Sequence, residues 1–282
     1  MRFGAHMSTT GGLERAISDG LRAGCDTVQL FTKNQQQWRA KPLGDADAAR
    51  FRAAAGQSGL GPLVVHDSYL INLASPDDVL WQKSCAAFAD ELDRCAALGI
   101  PYLVTHPGAH VGSGEAAGLA RVASAISRLL DAGHGAGVMI LLETTAGQGT
   151  SLGWRFEQLA ELLRAVAAPE RVGICIDTCH LFAAGYDLRT PEAYAATFAE
   201  FEAVIGCAAI RALHVNDAQR ELGSRIDRHA HIGAGTLGLA AFRALVNDPR
   251  LAGLPAILET PKGDDLAEDI ANLAVLRGLV ES

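Results

Sequence analysis

The sequence predicts an α/β fold, a single TIM (β/α)₈ barrel, and three observations carry that expectation. Short β-rich runs alternate with longer helical patterns from end to end, which implies a parallel sheet. Eight such runs are present, which suggests closure into a barrel rather than an open sheet. The chain has 282 residues, close to the size of one complete barrel, so 1–282 reads as one domain. A doubly wound sheet would usually open with a glycine-rich phosphate turn. Here Gly11-Gly12 begins a helix without forming GxGxxG.

In chain order, a strand over 2–5 leads to a helix over 11–24, and a strand over 27–31 to a helix over 45–58. The strand over 62–66 is followed by Ser75-Pro76-Asp77-Asp78, a helix start with its cap and proline, and a helix over 77–98. Strands over 102–106 and 138–143 precede alanine-rich or amphipathic helices over 115–132 and 154–167. The strand over 172–177 is followed by Thr190-Pro191-Glu192, which caps a helix over 191–205. Strands over 211–215 and 256–259, with helices over 239–247 and 265–280, complete the eight units.

Hydrophobic residues make up 49% and charged residues 20%, which excludes a disordered chain. No stretch approaches a membrane span, and the N-terminus lacks the apolar core of a signal peptide, so a cytoplasmic location is expected. The six cysteines form no CxxC pair and read as reduced thiols, with Cys179 structural. A net charge of −8 argues against nucleic acid as a partner unless bound cations concentrate positive potential on one face.

Six of the eight expected strands end on, or carry near their end, a side chain able to bind a metal. These are His66, His106, Glu143, Asp177, His214 and Glu259. In a TIM barrel the strand ends converge on the face where active sites are built. The loops add His180, three residues beyond Asp177, and the pair Asp227 and His229. If extended, that pair points to one side while Arg228 points away. Any one of these histidines is more often structural, so the reading rests on their joint placement. His6, His110, His134 and His231 stay on the structural side. Five imidazoles and four carboxylates favour Zn²⁺, with Mn²⁺ or Fe²⁺ able to take the same donors, and nine ligands suit three ions.

These motifs resemble the endonuclease IV family over nearly the whole chain. The matching segments include Gly4-Ala5-His6, Phe31-Thr32-Lys33-Asn34, His66-Asp67-Ser68-Tyr69-Leu70-Ile71-Asn72-Leu73, His106-Pro107-Gly108, Asp177-Thr178-Cys179-His180, His214-Val215-Asn216-Asp217 and Asp227-Arg228-His229. The resemblance implies a three-zinc site. His66 and His106 would hold the first ion, with Glu143 bridging it to the second. Asp177, His214 and Glu259 would complete the second; His180, Asp227 and His229 would hold the third. It further implies DNA repair by hydrolysis of the phosphodiester 5′ to an abasic site. The reagent would be metal-bound hydroxide, with Glu143 and Glu259 central to the chemistry, leaving a 3′-hydroxyl and a 5′-deoxyribose phosphate. The partner is double-stranded DNA containing abasic sites, read by a monomer needing no protein partner.

One departure from the family pattern stands in the loop after the second strand, where Gln36 occupies the place of an arginine that enters the minor groove. Tyr69 matches the residue inserted at the lesion. Lys33, Arg39, Lys41, Arg220, Arg225 and Arg228, all in loops at the same barrel end, are candidate phosphate contacts. Two rival readings are a sugar isomerase or epimerase on a metal-dependent barrel, and a non-catalytic zinc-dependent DNA-binding or metal-storage protein. The first needs only one or two ions, and the set of His180, Asp227 and His229 exceeds that.

Overall fold

The computed structural model of the protein describes residues 1–263 and 265–281. Eight parallel strands close into a barrel: β1 (Arg2–Met7), β2 (Thr27–Leu30), β3 (Val64–His66), β4 (Tyr102–Thr105), β5 (Met139–Glu143), β6 (Val172–Asp177), β7 (Ile210–His214) and β10 (Pro255–Leu258). Each neighbours the next in sequence order around the ring, and β10 closes onto β1. Around them lie α1 (Leu13–Ala23), α2 (Asp45–Ser58), α3 (Asp78–Leu98), α4 (Glu115–Asp131), α5 (Phe156–Ala165), α7 (Pro191–Val204), α8 (Gly238–Val246) and α9 (Ala267–Gly278). The expected cap residues act as such: Asp77 accepts from the Leu80 amide and Thr190 from the Ala193 amide.

Strand periodicity divides the core in two. Residues such as Val28, Leu30, Val65, Leu103, Ile140, Leu142, Ile174, Ile176 and Leu213 face the helices in one large apolar cluster. Their neighbours Val64, Val104, Leu141, Cys175 and Ala212 form a separate cluster inside the barrel. Gly4 belongs to the crowded wall: a Cβ there would lie 2.0 Å from the Thr27 carbonyl oxygen across the β1–β2 pairing.

Two elements go beyond the sequence reading. Residues 178–180, expected as a turn after β6, begin a short helix, α6 (Thr178–Ala184), because the Asp177 carboxylate caps the His180 amide at 2.7 Å. The segment around 217–230 folds into a small antiparallel pair, β8 (Asp217–Ala218) with β9 (His229–Ala230). The strand ends also shift slightly: His106 and Glu259 stand one residue beyond β4 and β10 rather than within them. None of the described helices is long and apolar enough to cross a membrane.

Candidate metal centre

A strand alternates its side chains, so the residue two places beyond an interior apolar side chain also points inward. Val64 is followed at that spacing by His66, Val104 by His106, Leu141 by Glu143, Cys175 by Asp177 and Ala212 by His214. Glu259 stands two beyond buried Ile257, Gln29 two beyond buried Thr27, and His6 two beyond Gly4. Each of the eight strands thus carries, near its end or one residue beyond it, one polar side chain in a layer at the barrel mouth.

Within and above this layer, donor atoms gather into groups whose members lie within 4.8 Å of one another. One group is His66, His106 and Glu143; a second is Glu143, Asp177, His214 and Glu259; a third is His180, Asp227 and His229. Buried Glu143 belongs to two of them: its Oε2 lies 3.1 Å from Nε2 of both His66 and His106, while its Oε1 lies 2.9 Å from His214 Nδ1. Glu143, Asp177 and His214 form a floor closed to solvent, whereas the side chains of His106 and Asp227 are 41% and 42% exposed at the rim. A cavity of about 410 Å³ opens over His106, His180 and Asp227, with Gln148, Thr150 and Ser151 in its wall. Asp177, Cys179 and His229 also meet the distance condition. The Cys179 thiol, however, donates to the Arg228 carbonyl, and burial pushes it up to about 12, which makes it a poor ligand.

The imidazoles are held from behind. His66 Nδ1 is 2.8 Å from the Asp67 carbonyl, His180 Nδ1 2.8 Å from the Thr144 carbonyl, and His229 Nδ1 3.1 Å from the Glu259 carbonyl. A carbonyl only accepts, so each outer nitrogen carries the proton and the inner nitrogen aims a lone pair at carboxylates. Nε2 of His180 and of His229 are buried, 3.1 Å from Asp227 oxygens, without a hydrogen-bond partner among the described residues. Lone pairs facing carboxylates repel unless positive charge lies between them. Protons supply that charge in the protein alone. Burial opposes the His66 imidazolium, but the Glu143 carboxylate outweighs it and raises the ring to about 9. Burial likewise opposes charged His180 and His214; the Asp177, Asp227 and Glu143 carboxylates push His180 well up, and the Cys175 sulfur together with Glu259 and Glu143 pushes His214 well up. Burial also works against Glu143 ionisation, yet the surrounding histidines hold it well below the usual carboxylate range. A site that draws protons this strongly onto imidazole fits divalent cations with nitrogen and oxygen ligands.

A sequence-family model described as a xylose isomerase-like TIM barrel matches residues 18–277. The probable endonuclease 4 of Chloroflexus aurantiacus is 61% identical over 280 residues, covering 99% of this chain and 98% of that protein. The crystal structure of endonuclease IV from Thermus thermophilus superposes with a TM-score of 0.88 at 36% identity, covering 99% and 98% of the two chains. The chain belongs to the endonuclease IV family. A D-tagatose 3-epimerase-like protein also superposes, with a TM-score of 0.74 and coverage of 99% and 97%, but at 18% identity that likeness shows the fold alone.

For an endonuclease IV family member, the loops around the mouth are the natural place for substrate contacts. Tyr69 stands 62% exposed after β3. Gln36, Arg225 and Arg228 are exposed. The Arg225 guanidinium lies 4.1 Å above the Trp154 ring, and Arg228 Nη1 donates to the Asp227 carbonyl. Lys33 departs from its expected role. Its side chain is 3% exposed and its ammonium is bound to Asp90 at 2.6 Å and Glu91 at 3.4 Å on α3, so the charge anchors the loop instead of facing solvent.

Three contributors carried no metal-ligand signal in the sequence. Asn216 donates to Asp177 Oδ2 at 2.7 Å and accepts the Glu259 amide at 2.8 Å. Gln29 contacts both His214 and Glu259. His6, left aside in the sequence as structural, sits behind Gln29, and burial pushes its imidazole down to about 3. Their only sequence signal is position, since Gln29 and His6 occupy strand places equivalent to those of the acidic and histidine residues.

Proposed function

We propose that this chain is a zinc-dependent abasic-site endonuclease. It hydrolyses the phosphodiester 5′ to the lesion in duplex DNA, leaving a 3′-hydroxyl and a 5′-deoxyribose phosphate. The observation that carries the reading is Glu143, one buried carboxylate shared by two metal-competent groups with a third group beside them. His66, His106 and Glu143 would hold one Zn²⁺; Glu143, Asp177, His214 and Glu259 a second; His180, Asp227 and His229 a third. Zinc at such a centre lowers the pKa of water to about 7 and offsets charge gathering on phosphate.

The chain's own part is orientation and exclusion. Carbonyls behind His66, His180 and His229 fix which nitrogen faces inward. Exposed Arg225 and Arg228, on the segment that also carries Asp227 and His229, would contact phosphates, and exposed Tyr69 would enter a helix interrupted by a missing base. An abasic sugar leaves the stack at lower cost than a nucleotide and brings no base, so a confined site selects it. Gln36 offers an uncharged amide where the family often has arginine, which weakens the electrostatic share of binding at that loop.

The test is incision of a duplex carrying one abasic-site analogue by metal-replete protein, beside an intact duplex and the Glu143→Gln variant. We expect a 3′-hydroxyl product from the damaged strand alone, reduced at least about a thousandfold in the variant, as for loss of a central electrostatic group. Intact abasic DNA after incubation with fully zinc-loaded protein overturns the proposal. Conversion of a ketose by the same preparation would assign it to the epimerase reading instead.

A further inference from the structure

The geometry points to Gln29 as a positioning residue for the second metal group, holding His214 and Glu259 in the states needed to bind a cation. Gln29 lies near the end of β2, completely buried in a strand that otherwise reads Thr-Val-Leu. Its Nε2 donates to Glu259 Oε1 at 2.6 Å and lies 3.1 Å from His6 Nδ1, while its Oε1 is 2.8 Å from His214 Nε2.

The carboxylate fixes the orientation of the amide. Turned over, the amide would set its oxygen 2.6 Å from a carboxylate oxygen, two acceptors in contact inside a buried site. With nitrogen toward Glu259, oxygen must face His214, and His214 Nε2 must then carry a proton to donate. The other ring nitrogen, Nδ1, is left for a cation, and it lies 2.9 Å from Glu143 Oε1 and 3.2 Å from Glu259 Oε2. Gln29 therefore does for His214 what backbone carbonyls do for His66, His180 and His229. It also ties down one oxygen of Glu259, leaving Oε2 as the oxygen beside His214 Nδ1. His6 completes the support from behind: with its Nδ1 toward the second amide hydrogen, neither N–H of Gln29 is idle.

This rests on the metal-centre reading above. Second-layer partners of metal-binding histidines typically change affinity by about 10- to 100-fold, and the expectation here lies in that range. The experiment measures zinc affinity by chelator competition, and the His214 ring nitrogens by ¹⁵N NMR, in wild type, Gln29→Met and Gln29→Glu. Methionine keeps the length and removes all three hydrogen bonds. Glutamate keeps an acceptor for His214 but loses the donor to Glu259. We expect Gln29→Met to weaken one bound ion about 10- to 100-fold and leave the others within about threefold. Its His214 signals should depart from the Nε2–H form in the zinc-loaded protein. Gln29→Glu should retain the Nε2–H signature yet still bind that ion at least about tenfold more weakly. It decides the matter should the methionine variant not fold. Wild-type affinity for every ion, with unchanged His214 signals in Gln29→Met, overturns the inference, as does wild-type affinity in Gln29→Glu. Wild-type protein that retains no zinc defeats both this inference and the reading beneath it. Zinc binding without cleavage of abasic DNA defeats the nuclease proposal alone, and the affinity comparison still decides the role of Gln29.

Discussion

Replacing Asn216 by alanine should cost the protein more stability than its small volume suggests. Asn216 stands two residues past the end of β7 with no solvent exposure. Its Nδ2 donates to Asp177 Oδ2 at 2.7 Å and its Oδ1 accepts from the Glu259 amide at 2.8 Å, so one side chain ties together the ends of β6 and β10. Asn216→Ala removes a hydrogen bond to a buried carboxylate, worth about 1.5–3 kcal/mol, and strands a backbone N–H, at about 1–3 kcal/mol. A water entering the vacated polar space would recover part of this, so roughly 2–4 kcal/mol is expected, against a typical total of about 5–15. Urea unfolding of metal-free protein measures it, as a lowered midpoint at unchanged slope. Asn216→Asp separates the two halves. It keeps the acceptor for the Glu259 amide but sets a second carboxylate against Asp177, and should be destabilised at neutral pH. An alanine variant within about 0.5 kcal/mol of wild type, or an aspartate variant equal to it, would refute the reasoning.

Three further outcomes are expected. Gly4→Ala places a Cβ 2.0 Å from the Thr27 carbonyl oxygen, a clash with strand backbone that no side-chain rotation relieves; soluble yield and cooperative melting should both be lost, and a normally folded variant contradicts the barrel register. Burial opposes ionisation of Asp248, but Arg250 and the Tyr194 hydroxyl outweigh it and hold the carboxyl below the usual range. Its stabilising contribution is therefore complete above the unfolded pKa of about 4 and fades as pH falls through the lower folded value. Asp248→Asn should flatten that acid dependence, with a cost of about 1 kcal/mol or less at neutral pH because Arg250 is 40% exposed and solvent screens the pair; identical acid profiles count against it. Tyr69→Ala should leave the melting temperature almost unchanged, since the ring is exposed, while lowering kcat/KM on abasic duplex about 10- to 100-fold through lost stacking. Unaltered kinetics would remove Tyr69 from recognition.

The barrel was legible because alternation of strand and helix is written in apolar spacing, and Asp45–Ser58 and Val172–Asp177 fall where the sequence places them. Convergence of the acidic and histidine side chains was also legible, because strand ends of a barrel share one face and His66, Glu143 and Asp177 terminate strands. Helix α6 was not: seven residues are too few for a helical period, and Asp177, assigned to a metal, also serves as its cap. The β8–β9 pair joins residues across a long irregular loop, for which no local pattern exists. Lys33 misled because a lysine in a mouth loop reads as solvent-facing until Asp90 and Glu91 are placed beneath it by α3. Gln29 was hidden for the opposite reason, since a neutral amide carries no chemistry of its own until its neighbours orient it.

The parity that divides the barrel also makes its assembly self-checking. Glu143 pairs with Cys175, and Asp177 with His214, on adjacent strands. Were any strand to dock one residue out of step, every side chain on it would change face. Leu142 or Ile176 would then stand at the wet mouth, and Glu143 or Asp177 would be driven among the apolar residues beneath the helices. A misthreaded chain is thus penalised twice, by a charge lodged in oil and by the loss of its cation trap. Only a chain whose eight strands have paired in phase gathers the nine side chains of the metal centre at one mouth.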